Sequence, residues 1–307
     1  MKKKRMISGL LMLLIAVIIL YLIPASQTDF FQQYTKNDTY SSSLRIIRNA
    51  SLKNIEVDGV TWNYFVDGKG KKTILFMHGM GGSYDLWWNQ LNYFKNDYKV
   101  ISFTLPVNVN SLEKSKKGIL KILETEGVNL FYLVGTSMGG YIAQYIMYSI
   151  PERIEKAVLS NTFPPNSLLK KENARKRKFL PFLPEIILFK LSEKQLKNVI
   201  LPTSRNSKLL GALLLSLPFS KKQLVGRFDV VVDSFYVSPS NLKINTIPKL
   251  IIESDNDPLV PPILREEIKN FYPNAKIYTF HNEGHFPYIT DTQNYSKIIE
   301  TFLNESN

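Results

Sequence analysis

The sequence contains no cysteine and only three histidines among its 307 residues. Disulfide bonds, thiolate nucleophiles, cysteine-ligated zinc and iron–sulfur clusters are therefore excluded, and a three-histidine metal site would need His78, His281 and His285 together. Acidic residues are fewer than basic ones, 26 against 39, which leaves a formal net charge of +13. Such an excess is compatible with a nucleic-acid partner, an anionic membrane or simple solubility.

Apolar residues are plentiful, at 44% of the chain, which favours a packed core over intrinsic disorder. Short continuous apolar runs alternate with stretches of helical periodicity and lie at residues 73–77, 100–105, 130–134, 157–159, 250–252 and 276–280. Runs of this kind are typical of parallel strands covered on both faces. The alternation predicts an α/β fold with a mostly parallel, doubly wound sheet.

The first 26 residues are typical of a membrane-targeted start. Four basic residues at positions 2–5 precede the uncharged apolar run 7–23, and its 17 residues lie at the lower end of what a transmembrane helix needs. We predict an uncleaved signal anchor in residues 1–26, with the basic residues in the cytoplasm and the catalytic domain on the extracytoplasmic side of the cell membrane. Residues 27–52 are polar and weakly patterned, and we predict a stalk there.

The folded domain is predicted at residues 53–307, and one segment of it breaks the strand–helix alternation. Between about residues 163 and 239 apolar helical pieces are separated by prolines, and no strand pattern is evident. We interpret this segment as a helical cap inserted between two strands of the sheet.

A G-x-S-x-G motif runs from Gly135 to Gly139, directly after the apolar run 130–134 and before a helical pattern. A serine on such a sharp turn exposes its hydroxyl, and a side chain at either glycine would collide with the neighbouring backbone. The helix N-terminus also favours developing negative charge. We predict Ser137 as a nucleophile and the backbone amide of Met138 as a donor to an oxyanion.

A glycine-rich loop, HGMGG at residues 78–82, follows the apolar run 73–77. Its backbone can offer a second amide to a carbonyl oxygen, and the best candidate is that of Met80, so that Met80 and Met138 form the predicted oxyanion hole. We expect the imidazole of His78 to be structural, because the contribution of this loop comes from its backbone.

A base and a carboxylate are expected on later loops, in the order Ser, Asp, His. Asp255 and Asp257 both follow the run 250–252. Asp257 lies deeper in the turn and is the preferred carboxylate, with Asp255 as the alternative. His285 is the preferred base, because it lies on a loop that an adjacent glycine opens, whereas its rival His281 abuts the preceding run.

Together these motifs resemble the α/β-hydrolase fold family. HGMGG, GTSMGG, SDNDPLVP and EGHFPY occur in the order and spacing of that family, and the match covers roughly residues 55–305. The resemblance implies a triad of Ser137, His285 and Asp257, a lid inserted after the sixth strand, and no cofactor. The stretches VLSNTF, YVSP and FYPNA are most similar to the maspardin-like group. Maspardin is regarded as a binding protein with a degenerate triad, whereas this chain keeps all three residue types.

The expected activity is hydrolysis of a carboxylic ester, with a lipid ester among the candidate substrates. The alternatives are an aminopeptidase-like amide hydrolase of the same fold and a non-catalytic binding module. Nucleic acid is not expected as a partner, because no recognition motif occurs.

The positive charge is concentrated in the predicted cap. Residues 166–227 hold 14 basic and 3 acidic residues. We expect the segment from Lys170 to Lys178 to face an anionic surface, either lipid headgroups or a charged polymer.

Overall fold

The computed structural model describes residues 2–236 and 242–305. Its strands are β1 Lys53–Val57, β2 Val60–Asp67, β3 Thr73–Met77, β4 Lys99–Phe103, β5 Phe131–Thr136, β6 Ile154–Ser160, β7 Lys249–Ser254 and β8 Lys276–Phe280. They form one sheet in the order β1-β2-β4-β3-β5-β6-β7-β8. Strand β2 pairs antiparallel with β1 and β4, and every pairing from β4 to β8 is parallel. The predicted α/β class with a mostly parallel sheet is confirmed.

The helices before the cap region are α1 Lys2–Leu22, α2 Phe30–Gln33, α3 Thr39–Asn49, α4 Trp88–Phe94, α5 Leu112–Thr125 and α6 Met138–Ser149. Those between β6 and β7 are α7 Ser167–Phe179, α8 Glu185–Gln195, α9 Leu201–Thr203, α10 Lys208–Leu215, α11 Lys221–Val232 and α12 Leu242–Thr246. The remaining helices are α13 Pro262–Phe271, α14 Pro287–Thr290 and α15 Thr292–Asn304.

The central strands are buried on both faces, which explains their continuous apolar sequences. In β3 all five residues are buried. Because side chains alternate along a strand, Leu75 and Met77 enter the hydrophobic cluster on one face, while Ile74 and Phe76 enter the cluster on the other. The sheet therefore separates two cores, and the loops at the carboxyl ends of its parallel strands meet at one edge.

The predicted transmembrane anchor is wrong. The 21 residues of α1 include the charged positions 2–5, and its uncharged part, residues 6–22, extends about 26 Å at about 1.5 Å per residue. That length is less than the roughly 30 Å of a bilayer hydrocarbon core. No helix among the described residues is long and apolar enough to cross a membrane. The predicted single-pass location in the cell membrane is wrong for the same reason.

Residues 27–52, which the sequence predicted as a stalk, contain the helices α2 and α3. Both helices begin at aspartate N-caps, Asp29 and Asp38. They bury Phe30, Leu44 and Ile47 in the hydrophobic cluster on one face of the sheet. The segment thus packs on the domain, and the domain boundaries at residues 26 and 52 stay predictions.

The segment between β6 and β7 is helical in its described part, residues 161–236 and 242–248, and holds no strand there. It contacts the loops at the edge of the sheet; the side chain of Asn256, after β7, donates to the carbonyl of Thr203 at 2.8 Å. The predicted end of the cap at residue 239 and most of the YVSP stretch lie outside the described residues, and the cap boundaries stay a prediction.

Candidate active site

Ser137 occupies a strained turn between β5 and α6. Its φ angle is +53°, a region that residues other than glycine rarely adopt. The turn also requires its two flanking glycines: a Cβ at Gly135 would lie 2.5 Å from the carbonyl oxygen of Gly139, and a Cβ at Gly139 would lie 2.3 Å from that of Met77. Ser137 is partly exposed, so its hydroxyl is presented at the edge of the sheet.

The glycine-rich loop lies directly against this serine. A Cβ at Gly79 would lie 3.1 Å from the Cβ of Ser137. The carbonyl of Gly79 accepts from the amide of Gly82 at 3.0 Å and from Nδ1 of His78 at 2.7 Å. The carbonyl of Gly79 and the amide of Met80 belong to the same peptide group. Because N–H and C=O point in opposite directions across a trans peptide, the amide of Met80 faces away from these partners.

The amides of Met80 and Met138 are both available as donors. Met138 is the first residue of α6, and the first amides of a helix have no partner within the helix. In the part of the chain that the structure describes, neither amide makes a hydrogen bond outside the regular elements. Two backbone donors therefore lie beside Ser137, one on the glycine-rich loop and one in the first turn of α6.

The imidazole of His78 connects the glycine-rich loop to the segment after β4. Its Nε2 accepts from the amide of Leu105 at 3.0 Å, while Nδ1 faces the carbonyl of Gly79. Burial and the positive charge of Arg227 lower the pKa of His78 to about 3. The ring is therefore neutral at physiological pH and fixed in one tautomer.

Asp257 and His285 form a buried pair. Nδ1 of His285 lies 2.8 Å from Oδ2 of Asp257, and their side chains are 4% and 0% exposed, respectively. Oδ1 of Asp257 also accepts from the amides of Leu259 and Val260 at 2.8 and 3.1 Å. Burial raises the pKa of Asp257, but His285 and the hydrogen bonds outweigh that effect and leave the pKa below its usual value. The carboxylate is thus ionised and can hold the imidazole with Nδ1 protonated.

The two rival residues pair with each other at the surface. Nδ1 of His281 lies 2.7 Å from Oδ2 of Asp255, and the side chains are 76% and 44% exposed. The hydrogen bond to His281 lowers the pKa of Asp255. This second pair is exposed to solvent, whereas the pair of Asp257 and His285 is buried.

Asn161 links the buried pair to the turn that holds Ser137, and sequence reasoning missed it. Its side chain donates to Oδ2 of Asp257 at 2.9 Å. The residue before it, Ser160, accepts from the amide of Ser137 at 3.0 Å. Only its position two residues after the apolar run 157–159 could have indicated a role, because parallel strands bring such positions to one edge.

Ser137, Asp257 and His285 follow β5, β7 and β8, on the same edge of the sheet. The hydroxyl of Ser137 makes no hydrogen bond to any of the residues the structure describes. Such catalytic contacts are often long without substrate and shorten when it binds. Within the same residues, no group of three or more His, Asp or Glu side chains is arranged to hold a metal ion.

Comparison with known proteins identifies the same fold from sequence. The family described as alpha/beta hydrolase fold matches residues 72–198, and the family described as TAP-like protein matches residues 235–307. Maspardin of Danio rerio is 25% identical over 271 residues, which are 83% of this chain and 83% of that protein. The pimeloyl-(acyl-carrier protein) methyl ester esterase of Legionella pneumophila is 25% identical over 241 residues, 77% of this chain and 96% of the esterase.

A further relative matches only in part. The acetyltransferase component of an acetoin cleaving system from Cupriavidus necator is 29% identical over 118 residues, and the match spans 32% of that protein's length.

Solved structures show the same fold. The enol-lactonase of Burkholderia xenovorans superposes with a TM-score of 0.70 at 17% identity, over 82% of this chain and 100% of the lactonase. A likeness at this level of identity is one of fold. Fold, motif order and sequence matches together identify the chain as a protein of the α/β-hydrolase fold.

Proposed function

We propose that the chain is a serine hydrolase that cleaves a carboxylic ester through an acyl-enzyme. Membership of the family supports a hydrolase. The observation that carries the finer proposal is the buried Asp257–His285 pair, which lies at the edge of the sheet where Ser137 occupies its strained turn. Such a pair suits a general base whose tautomer and orientation must be held.

The reaction would proceed in two steps. Nε2 of His285 takes the hydroxyl proton of Ser137 while Oγ bonds to the ester carbonyl carbon, and the amides of Met80 and Met138 stabilise the oxyanion. When the tetrahedral intermediate collapses, the C–O bond breaks and His285 gives its proton to the leaving alcohol. Water then repeats these steps on the acyl-enzyme and releases the acid. Asp257 stabilises the imidazolium throughout.

The ester class rests on the relatives. The Legionella relative is named as a methyl ester esterase, and the Burkholderia structure as an enol-lactonase. The helices between β6 and β7 bury apolar side chains such as Leu188 and Phe189 and would shape the acyl pocket, which keeps a lipid ester among the candidates. The likeness to maspardin favours a second candidate, a binding module without catalytic activity.

The two aspartates provide a matched test of the mechanism. We expect Asp257→Asn to lower kcat for a short methyl ester by about 10³–10⁴-fold, because the imidazole loses its tautomer control. Asp255→Asn removes the same charge two residues away and should leave kcat within about twofold, since an exposed pair contributes little. The rate of ester hydrolysis is measured for both purified variants and for the unmodified chain. Equal losses, or full activity of Asp257→Asn, would contradict the proposal.

A further inference from the structure

Arg227, on α11, is a buried cation. Arg227 is 2% exposed, and no acidic side chain in the described part of the chain forms an ion pair with it. Burial lowers the pKa of Arg227 to about 9, so it remains charged at neutral pH. A buried charge that lacks an opposite charge is unfavourable, and its retention calls for a function.

Within the described ranges, the hydrogen bonds of Arg227 go only to neutral oxygens. Nη1 donates to the carbonyl of Met80. With the amide of Gln223 oriented by its hydrogen bonds, Nη2 donates to the oxygen of Gln223 at 2.6 Å, and Gln223 donates to Pro218 at 3.0 Å. Nε is buried and has no hydrogen-bond partner among the described residues. Of the five N–H groups that a guanidinium carries, several remain for a ligand.

The guanidinium lies beside the proposed oxyanion hole. Met80, whose carbonyl it contacts, supplies one of the two proposed donors through its own amide. The preceding residue of α11 is packed closely on the loop after β4; a Cβ at Gly226 would lie 3.1 Å from the carbonyl oxygen of Val107. The position of α11 therefore brings a cation from between β6 and β7 into contact with Met80, whose amide is one of the two proposed oxyanion donors.

We propose that Arg227 binds a carboxylate of the substrate, so that the ester cleaved here is a monoester of a short dicarboxylic acid. The proposal rests on the proposed function, because it concerns the same site. A carboxylate matches the planar fork of a guanidinium and neutralises the buried charge. The nearness of Arg227 to Met80 places that carboxylate only a few bonds from the scissile ester.

The test compares two substrates of the same length, monomethyl glutarate and methyl valerate, which differ by a carboxylate in place of a methyl group. We expect the unmodified chain to hydrolyse monomethyl glutarate with at least about a tenfold higher kcat/KM. In Arg227→Gln the ratio should fall to about one, and Arg227→Lys should retain part of it, because an ammonium keeps the charge but not the fork. The ratio is the readout, since loss of the contact to Met80 lowers both rates.

A binding measurement separates this inference from the proposed function. Calorimetric titration of the full chain carrying Ser137→Ala should show binding of monomethyl glutarate that Arg227→Gln weakens at least about tenfold. If this binding occurs but the unmodified chain hydrolyses neither ester, the result supports the anion site and overturns the proposed function. Equal rates for the two esters, with no binding of monomethyl glutarate, overturn the inference and leave the hydrolase intact. If Arg227→Gln does not fold, the substrate ratio of the unmodified chain and of Arg227→Lys decides.

Discussion

Ser137 can occupy its strained turn because the residues packed beside it carry no side chains. Gly139 lets α6 approach the end of β3, where a Cβ would lie 2.3 Å from the carbonyl oxygen of Met77. Backbone atoms cannot move aside as the end of a flexible side chain can. The serine, its turn and the neighbouring strand are therefore coupled through a close contact.

Two glycine variants test this coupling. We expect Gly139→Ala to lower the free energy of unfolding by about 1–3 kcal/mol, because the added methyl overpacks the contact with β3. Gly81→Ala is the control, since a Cβ there meets nothing within 4 Å, and it should change the free energy by less than about 1 kcal/mol. Denaturant unfolding of both variants measures the difference. Similar free energies for the two would argue against the tight packing of the turn.

From the sequence, Asp257 and His285 could be preferred, but an alternative stayed open beside each of them. The order of motifs indicated the loops that hold Asp255, Asp257, His281 and His285, but both possible pairs form in the structure. Burial separates them, and burial depends on elements distant in sequence. Arg227 was counted only as one of many basic residues in the cap, since nothing in its local sequence indicates that α11 buries it.

At the scale of elements, the sequence predicted strands better than the N-terminal helices. The central strands are continuous apolar runs because both faces are covered, and that pattern is visible without knowledge of the fold. Helix α3 buries only Ser41, Leu44 and Ile47 of its 11 residues, so its sequence looked like a polar stalk. For α1 the apolar run predicted a membrane span, but the uncharged part of the helix is shorter than the hydrocarbon core of a bilayer.

An ion pair joins two of the helices between β6 and β7. Arg177 on α7 pairs with Asp229 on α11, and this contact raises the pKa of Arg177. Helix α11 in turn places Arg227 on the carbonyl of Met80. Packing of this region on the domain and the geometry of the proposed oxyanion hole are therefore linked through one helix.

At the scale of the whole molecule, the positive charge of the cap region is largely unpaired. Lys171, Arg175 and Lys178 are exposed, and none forms a salt bridge with an acidic residue of the described ranges. Their spacing places them on one face of α7. We propose that this face binds an anionic lipid surface by electrostatic attraction alone.

Vesicle binding tests this surface. The full chain should bind vesicles of anionic lipid at low salt and be released at high salt. Replacing Lys171, Arg175 and Lys178 by alanine should weaken binding about 100-fold, at about 1 kcal/mol per charge. Alanine at Lys114, Lys117 and Lys121 on α5 removes the same charge from another exposed face and should have a much smaller effect. Equal losses in the two variants would show that net charge, and not this face, controls binding.

The central claim is that Ser137 is an activated nucleophile, and covalent labelling tests it most directly. A fluorophosphonate probe reacts with a serine whose neighbouring base accepts the proton during attack. We predict that the folded protein is labelled once, that mass spectrometry locates the adduct on Ser137, and that folded Ser137→Ala is not labelled. A folded, unmodified protein that takes up no probe, or takes it up at another residue, would contradict the account and favour the binding module.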